Sequence, residues 1–370
     1  MECSKFGQCG GCPLGGTPYQ QQLESKALFV QDQLGVRATL LSPGESGLRD
    51  RIDLVWDVQP GKPPVLGLYQ LNQREGRQLV DIDTCPMLSA PMEAWLKDYR
   101  QKVPPIGLGT VRLRVAPGGQ RGAWLDFANV DVKALFEEVE YLKWLSNLAI
   151  VEIGQRRKRL VWKEDRPKLV DAELFPWFET YGEKNKPIPL YGVIGGFTQV
   201  GLTSNKMLVQ QVVSAAQKSG SKEWVELFCG SGNFSLAIAS HGLSVMAYEN
   251  DELAVQALKR SKLENSIDHL QIERVDVYHQ PNKIASLGSK GLLVDPPRSG
   301  LGKSLSWLGA LPAGGRPKTL IYVSCFSDTF VSDAKQLAEL GFKLVELCGV
   351  DQFPQSSHME WIGSFQAESP

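Results

Sequence analysis

Apolar side chains at Tyr19, Leu23, Ala27, Leu28, Val30 and Leu34 recur at helical spacing, which predicts an amphipathic helix over residues 19–34. Residues 1–18, rich in Gly and Cys, read as irregular loop. From about 36 to 135 the pattern shortens to alternating runs such as RIDLVWD at 51–57 and VLGLY at 65–69. Gly and Pro punctuate these runs, which predicts antiparallel sheet. Residues 136–190 are mixed, with a proline-rich exit at 186–190. Beyond about 190 the period changes. Apolar runs at 225–228, 245–248, 291–294 and 319–323 alternate with helix-length segments near 205–218, 233–241, 251–264 and 328–340. That alternation predicts a largely parallel, doubly wound sheet and a domain boundary near residue 188.

A chain of 370 residues, 42% hydrophobic and 22% charged, suits two soluble domains. No apolar run is long enough for a membrane helix, and the start lacks a basic-then-apolar leader. A cytoplasmic location is expected, with neither a membrane nor a protein partner implied. With a net charge of -1, any nucleic-acid affinity must come from a local basic surface. RRKRLVWKEDRPK at 156–168, with seven basic and two acidic side chains, is the candidate.

The run at 225–234, VELFCGSGNF, predicts a strand entering a glycine turn and then a helix. Gly230 and Gly232 would let the backbone approach a ligand. A second strand, VMAYE at 245–249, ends in Glu249, a carboxylate placed to accept from ribose hydroxyls. That spacing suits a dinucleotide as well. The turn's Gly-x-Gly-x-Phe form, a third strand ending in Asp276 and a fourth ending in DPPR at 295–298 favour S-adenosylmethionine. A fifth strand delivers Cys325 to the same edge, and Glu360 precedes a final strand-like run. A thiolate adding to carbon 6 of uracil makes carbon 5 nucleophilic towards a methyl donor. A carboxylate can then remove the carbon 5 proton. The base must leave its stack to reach both groups.

These residues resemble the RNA uracil-5 methyltransferase family. The resemblance rests on ELFCGSGNFS at 226–235, DPPR at 295–298, YVSC at 322–325, DQFP at 351–354 with HME at 358–360, and FTQV at 197–200. It implies an α/β protein whose residues 189–370 form a doubly wound, Rossmann-like methyltransferase domain. Residues 1–188 would form a mainly antiparallel β region that binds RNA. It makes Cys325 the nucleophile and Glu360 the base, and it puts Gln199, Phe228, Asn233, Glu249, Asp276 and Asp295 on the S-adenosylmethionine side. Two positions depart from the family, Gly201 and Phe326, where Asn is usual; both are expected near the target base. Arg49 lies in a stretch resembling the family's Tyr/Phe-Arg-Asn-Lys segment and is a second candidate to face RNA.

Cys3, Cys9 and Cys12, with Cys85 in DTCP at 83–86, make a four-thiolate set. Four such ligands suit structural zinc or an iron–sulfur cluster, and spacing does not decide. The same pattern resembles the [4Fe–4S] site of the ribosomal-RNA members. With two residues before Cys3, the expected relative is a short member without an N-terminal barrel. The implied substrate is 23S ribosomal RNA rather than transfer RNA. Rival readings are an exocyclic-amine methyltransferase, which DPPR and Cys325 disfavour, and a metal-stabilised RNA-binding protein with a vestigial methyltransferase fold.

Overall fold

The structure is a computed structural model that describes residues 2–70, 78–126, 132–154, 157–284 and 286–368. Arg156, part of the basic run, lies outside the described residues. The chain forms two units. The first comprises Met1–Thr17, Gly44–Phe178 and Gly192–Leu202, and the second Pro18–Pro43, Glu179–Tyr191 and Thr203–Pro370. Residue 188, where a boundary is expected, lies inside the Glu179–Tyr191 segment of the second unit, and the helix predicted at 19–34 belongs to that unit as well.

Helix α1 (Tyr19–Leu34) ends at Gly35, whose φ of +65° supplies the left-handed cap. Its buried face is Gln22, Leu23, Lys26, Ala27 and Val30, while Leu28 is exposed. Two polar side chains therefore stand on the face that the apolar pattern reserved for hydrophobic ones. The short strand β1 (Thr39–Leu41) follows.

The first unit is built on strands β2 (Arg51–Asp57), β3 (Val65–Tyr69), β4 (Leu79–Asp81), β5 (Leu108–Val115) and β6 (Arg121–Asp126). It continues through β7 (Ile150–Ile153), β8 (Lys158–Lys163) and β9 (Arg166–Asp171). Among the described residues these make one sheet in the order β4-β3-β2-β5-β6-β7-β8-β9. Neighbours run antiparallel except β6 and β7, which the helical segment between them makes parallel. Helix α2 (Ala90–Tyr99) lays Met92, Trp95, Leu96 and Tyr99 onto this sheet. Helices α3 (Val132–Glu137) and α4 (Val139–Leu148) fill the crossover. The buried indoles of Trp56 and Trp95 donate to the carbonyls of Ile106 and Gly122, so their polar atoms stay satisfied.

A two-stranded sheet, β10 (Phe175–Tyr181) with β11 (Pro187–Gly192), follows. Helix α5 (Leu202–Lys218) leads into the second unit's strands β12 (Glu223–Leu227), β13 (Ser244–Glu249), β14 (Leu270–Arg274), β15 (Gly291–Val294) and β16 (Thr319–Ser324). Helices α6 (Asn233–Ser240), α7 (Glu252–Glu264), α8 (Lys303–Ala310) and α9 (Ser327–Glu339) connect and flank them. Strands β17 (Phe342–Val350) and β18 (Glu360–Ala367) close the chain. Among the described residues the strand order is β1-β17-β18-β16-β15-β12-β13-β14, and β18 alone runs antiparallel to its neighbours. Strands β15 and β16 are buried at every position, as sheet covered on both faces requires. Strand order reverses between β12 and β15, so the carboxyl ends of these two strands flank the crevice where open α/β sheets bind ligands.

Candidate active site

After β12 the chain turns through Phe228–Gly232 into α6. Phe228 has φ +63°, a backbone conformation that costs a bulky residue about 1–3 kcal/mol and persists only where its surroundings impose it. Gly232 has φ +91°, and a Cβ there would overlap the Leu258 side chain on α7. A Cβ at Gly230 would instead meet open space. The Gly230 N–H donates to Glu249 Oε2 at 2.9 Å, and Oε1 accepts from the Asn250 and Asp251 N–H groups at 2.7 and 2.8 Å. Glu249 is thereby fixed at the end of β13 beside the glycine turn.

Asp276 stands beyond β14. The His279 ring nitrogen at 2.9 Å and the N–H groups of His279 and Tyr278 at 3.1 Å hold its carboxyl below the usual range. The Phe228 ring lies 5.0 Å from the ring of Tyr278. Asn233, first residue of α6, exchanges two side-chain hydrogen bonds with the buried Asn205, of 2.8 and 2.9 Å. Behind the turn, burial pushes Glu226 up to about 8 while the Ser235 hydroxyl, donating to it, opposes the shift.

Four groups converge after β15, β16 and β17. Burial, then the charges of Glu360 and Glu226, holds the Asp295 carboxyl well above the usual range. Burial also pushes the Cys325 thiol up to about 11, and the Glu360 carboxylate adds to this. The Arg298 guanidinium, hydrogen-bonded to Cys325, works the other way. Glu360 is 2% exposed, and burial raises it to about 7 against the pull of Gln352 and Arg298. Gln352 Nε2 donates to Glu360 Oε2 at 2.7 Å. The arrangement joins a thiol, a carboxyl group raised to near neutrality and a guanidinium that favours the thiolate. Sequence reasoning missed Arg298 and Gln352 as site residues, although each stands in a motif it singled out.

Gln199 belongs to the first unit, where it is buried near Arg51 and Arg114. Among the described residues, Arg51 Nη1 and Arg114 Nε are buried without a hydrogen-bond partner. A Cβ at Gly201 would overlap the Leu48 carbonyl oxygen, so a larger side chain there would displace the backbone. Phe326 follows Cys325 and lies 6.2 Å, ring to ring, from His358, which in turn meets Phe353 at 6.0 Å.

The N-terminal loop is tied to β3 and to the Cys85 segment. Gly10 donates to the Tyr69 carbonyl at 3.0 Å, and Lys5 pairs with Asp83 at 3.6 Å. Among the described residues no three His, Cys, Asp or Glu side chains converge as a metal-holding group. Cys3, Cys9, Cys12 and Cys85 nevertheless share one neighbourhood as free thiols. Burial, then the negative charges of Cys85, Cys9 and Cys3, pushes Cys12 up to about 11, while Arg49 opposes them. Arg49 thus stands beside the thiols.

The basic run forms the β8–β9 hairpin. Its register pairs Arg159 with Val170, Val161 with Lys168 and Lys163 with Arg166, so one face carries four basic side chains. The opposite face packs Leu160, Trp162 and Leu169 against the core. Arg159 forms an ion pair with Glu173, and Lys158 with Asp171. Among the described residues no helix is long and apolar enough to cross a membrane.

The model of the tRNA (Uracil-5-)-methyltransferase family matches residues 186–366. An uncharacterized RNA methyltransferase of Bdellovibrio bacteriovorus is 37% identical over 100% of this chain and 96% of its own. The 23S rRNA (uracil(1939)-C(5))-methyltransferase RlmD of Vibrio vulnificus is 30% identical over 98% of this chain and 81% of its own. Among solved structures, Pyrococcus abyssi tRNA (uracil-54, C5)-methyltransferase in complex with S-adenosyl-L-homocysteine shares the fold. It has a TM-score of 0.70 and 19% identity over 96% of this chain and 86% of that one. The chain belongs to the RNA uracil-5 methyltransferase family and is, by that membership, an S-adenosylmethionine-dependent RNA (uracil-5-)-methyltransferase.

Proposed function

We propose that this enzyme methylates carbon 5 of a uridine in 23S ribosomal RNA through a covalent adduct on Cys325. The convergence of Cys325, Arg298 and Glu360 carries this reading. Likeness to RlmD, a 23S rRNA enzyme by name, supports the substrate. When bound, S-adenosylmethionine supplies the methyl group. Cys325, with Arg298 favouring its thiolate, adds through sulfur to carbon 6 of the uracil, and the ring electrons move to make carbon 5 nucleophilic. Once carbon 5 is methylated, Glu360 takes its proton, the carbon 5–carbon 6 double bond re-forms and the sulfur departs as thiolate. A base near 7 is matched to this task.

The open space over Gly230 and the fixed Glu249 fit a nucleoside cofactor. Glu249 would accept from the ribose hydroxyls, Asp276 would meet the adenine amino group, and Phe228, Asn233 and Asp295 would complete the site. Cys3, Cys9, Cys12 and Cys85 would hold a [4Fe–4S] cluster that ties the N-terminal loop to the sheet. Neighbouring thiols that raise one another's pKa are the donor set a cationic cluster would relieve. The basic face of the β8–β9 hairpin would contact RNA phosphates.

Mapping 5-methyluridine in total RNA from cells with and without the gene tests the substrate. Loss of one modified uridine in 23S ribosomal RNA is expected. Loss confined to transfer RNA would move the assignment to that substrate.

A further inference from the structure

Helix α1 meets the segment between β17 and β18 through polar contacts that are buried or half-buried. Lys26 Nζ donates to Asp351 Oδ1 at 2.8 Å and to the Phe353 carbonyl at 3.1 Å. The two side chains are 2% and 0% exposed. Tyr19 Oη donates to Asp351 Oδ2 at 3.0 Å, and Gln22 exchanges two 2.9 Å hydrogen bonds with Gln355. Tyr19, Gln22 and Lys26 lie three and four residues apart, on one helical face. The segment they grip is held against strain, since Gln355 sits at φ +68°, a conformation that persists only where its surroundings impose it. Within it, Gln352 follows Asp351 directly and donates to Glu360.

Desolvation makes a buried ion pair a poor stabiliser, and an apolar pair of similar volume would serve stability as well. An apolar pair would not fix the direction in which Gln352 points. We propose that Lys26 is a positioning residue for Glu360. With Tyr19 and Gln22 it fixes the Asp351–Gln355 segment so that Gln352 holds the Glu360 carboxylate in its proton-accepting orientation. This rests on Glu360 being the base.

The test follows adduct formation and adduct decay separately, by rapid quench on full-length enzyme with RNA and S-adenosylmethionine. Lys26→Met alone would leave the Asp351 carboxylate buried and unpaired, so Lys26→Met is combined with Asp351→Asn. The double variant should bind S-adenosylmethionine and form adduct normally, while adduct decay slows by roughly tenfold. The acid limb of the decay rate should rise in pH, because Glu360 loses the donor that opposes its burial, while Asp295, Arg298 and Cys325 still face it. Lys26→Arg should restore both readouts. Tyr19→Phe, which removes one hydroxyl, should slow decay by roughly threefold and decides the matter if the double variant does not fold. Unchanged decay and an unchanged acid limb in a folded double variant, or in Tyr19→Phe where the double variant unfolds, would overturn the proposal. Glu360→Gln in the same assay keeps the two ideas apart: normal decay there defeats the base assignment itself, whereas stalled decay beside a normal double variant defeats only the role of Lys26.

Discussion

Cys12 in the first unit and Cys325 in the second have thiols pushed to the same place, about 11, and burial leads in both. What surrounds them differs. Cys12 faces three other thiols with Arg49 opposing, so only a shared cation would relieve the whole set. Cys325 faces the carboxyl groups of Glu360 and Asp295 and the Arg298 guanidinium, which act on it singly, and a carboxyl group can pass a proton. Equal pKa values thus accompany unequal surroundings, and the identity of the neighbours, rather than the size of the shift, is what would separate a metal ligand from a nucleophile.

The sharpest way to break this contrast is to remove each thiol in turn. Cys325→Ala should lower methylation by at least about 10^4-fold and leave bound metal and S-adenosylmethionine affinity unchanged. Cys12→Ser should do the reverse at its own end. Anaerobically purified wild type is expected to be brown with about four irons per chain, and Cys12→Ser should lose the iron and melt earlier. Stoichiometric zinc in the wild type would keep the ligands and discard the iron–sulfur cluster.

Arg298→Gln should slow adduct formation by about ten- to a hundredfold, the worth of one charge-assisted hydrogen bond. Losing the guanidinium raises the thiol further, so the deficit should shrink as pH rises, and a pH-independent deficit would deny Arg298 this role. Smaller again, changing Lys163, Arg166 and Lys168 to Glu should weaken RNA binding and flatten its salt dependence, with cofactor affinity unaltered. An unchanged salt slope would place the RNA surface elsewhere.

Much of the second unit was legible because its strands carry unbroken apolar runs that end in chemistry-bearing residues. Glu249, Cys325 and the glycine turn all stand where strand-to-helix reading put them. Less could be read where tertiary context overrides local pattern. At 136–190 short strands and helix α4 share no period long enough to recognise. Gln22 and Lys26 are buried on a face where polarity signals solvent, because their partners lie more than three hundred residues away in sequence. Gln352 was unreadable as the partner of Glu360 for a different reason: the two are close in sequence, but only the path of the segment between β17 and β18 brings them into contact. Gly201 was legible as a departure from a family pattern, but its cause, the approach of the Leu48 carbonyl, needed the structure.

The central claim is that Cys325 attacks before methyl transfer and Glu360 acts after it. Denaturing electrophoresis of Glu360→Gln incubated with substrate RNA and S-adenosylmethionine tests this directly. A stable protein–RNA band is expected, carrying a methylated uracil that peptide mass mapping locates on Cys325. Normal turnover by Glu360→Gln with no such band, or a band attached elsewhere than Cys325, would contradict the account.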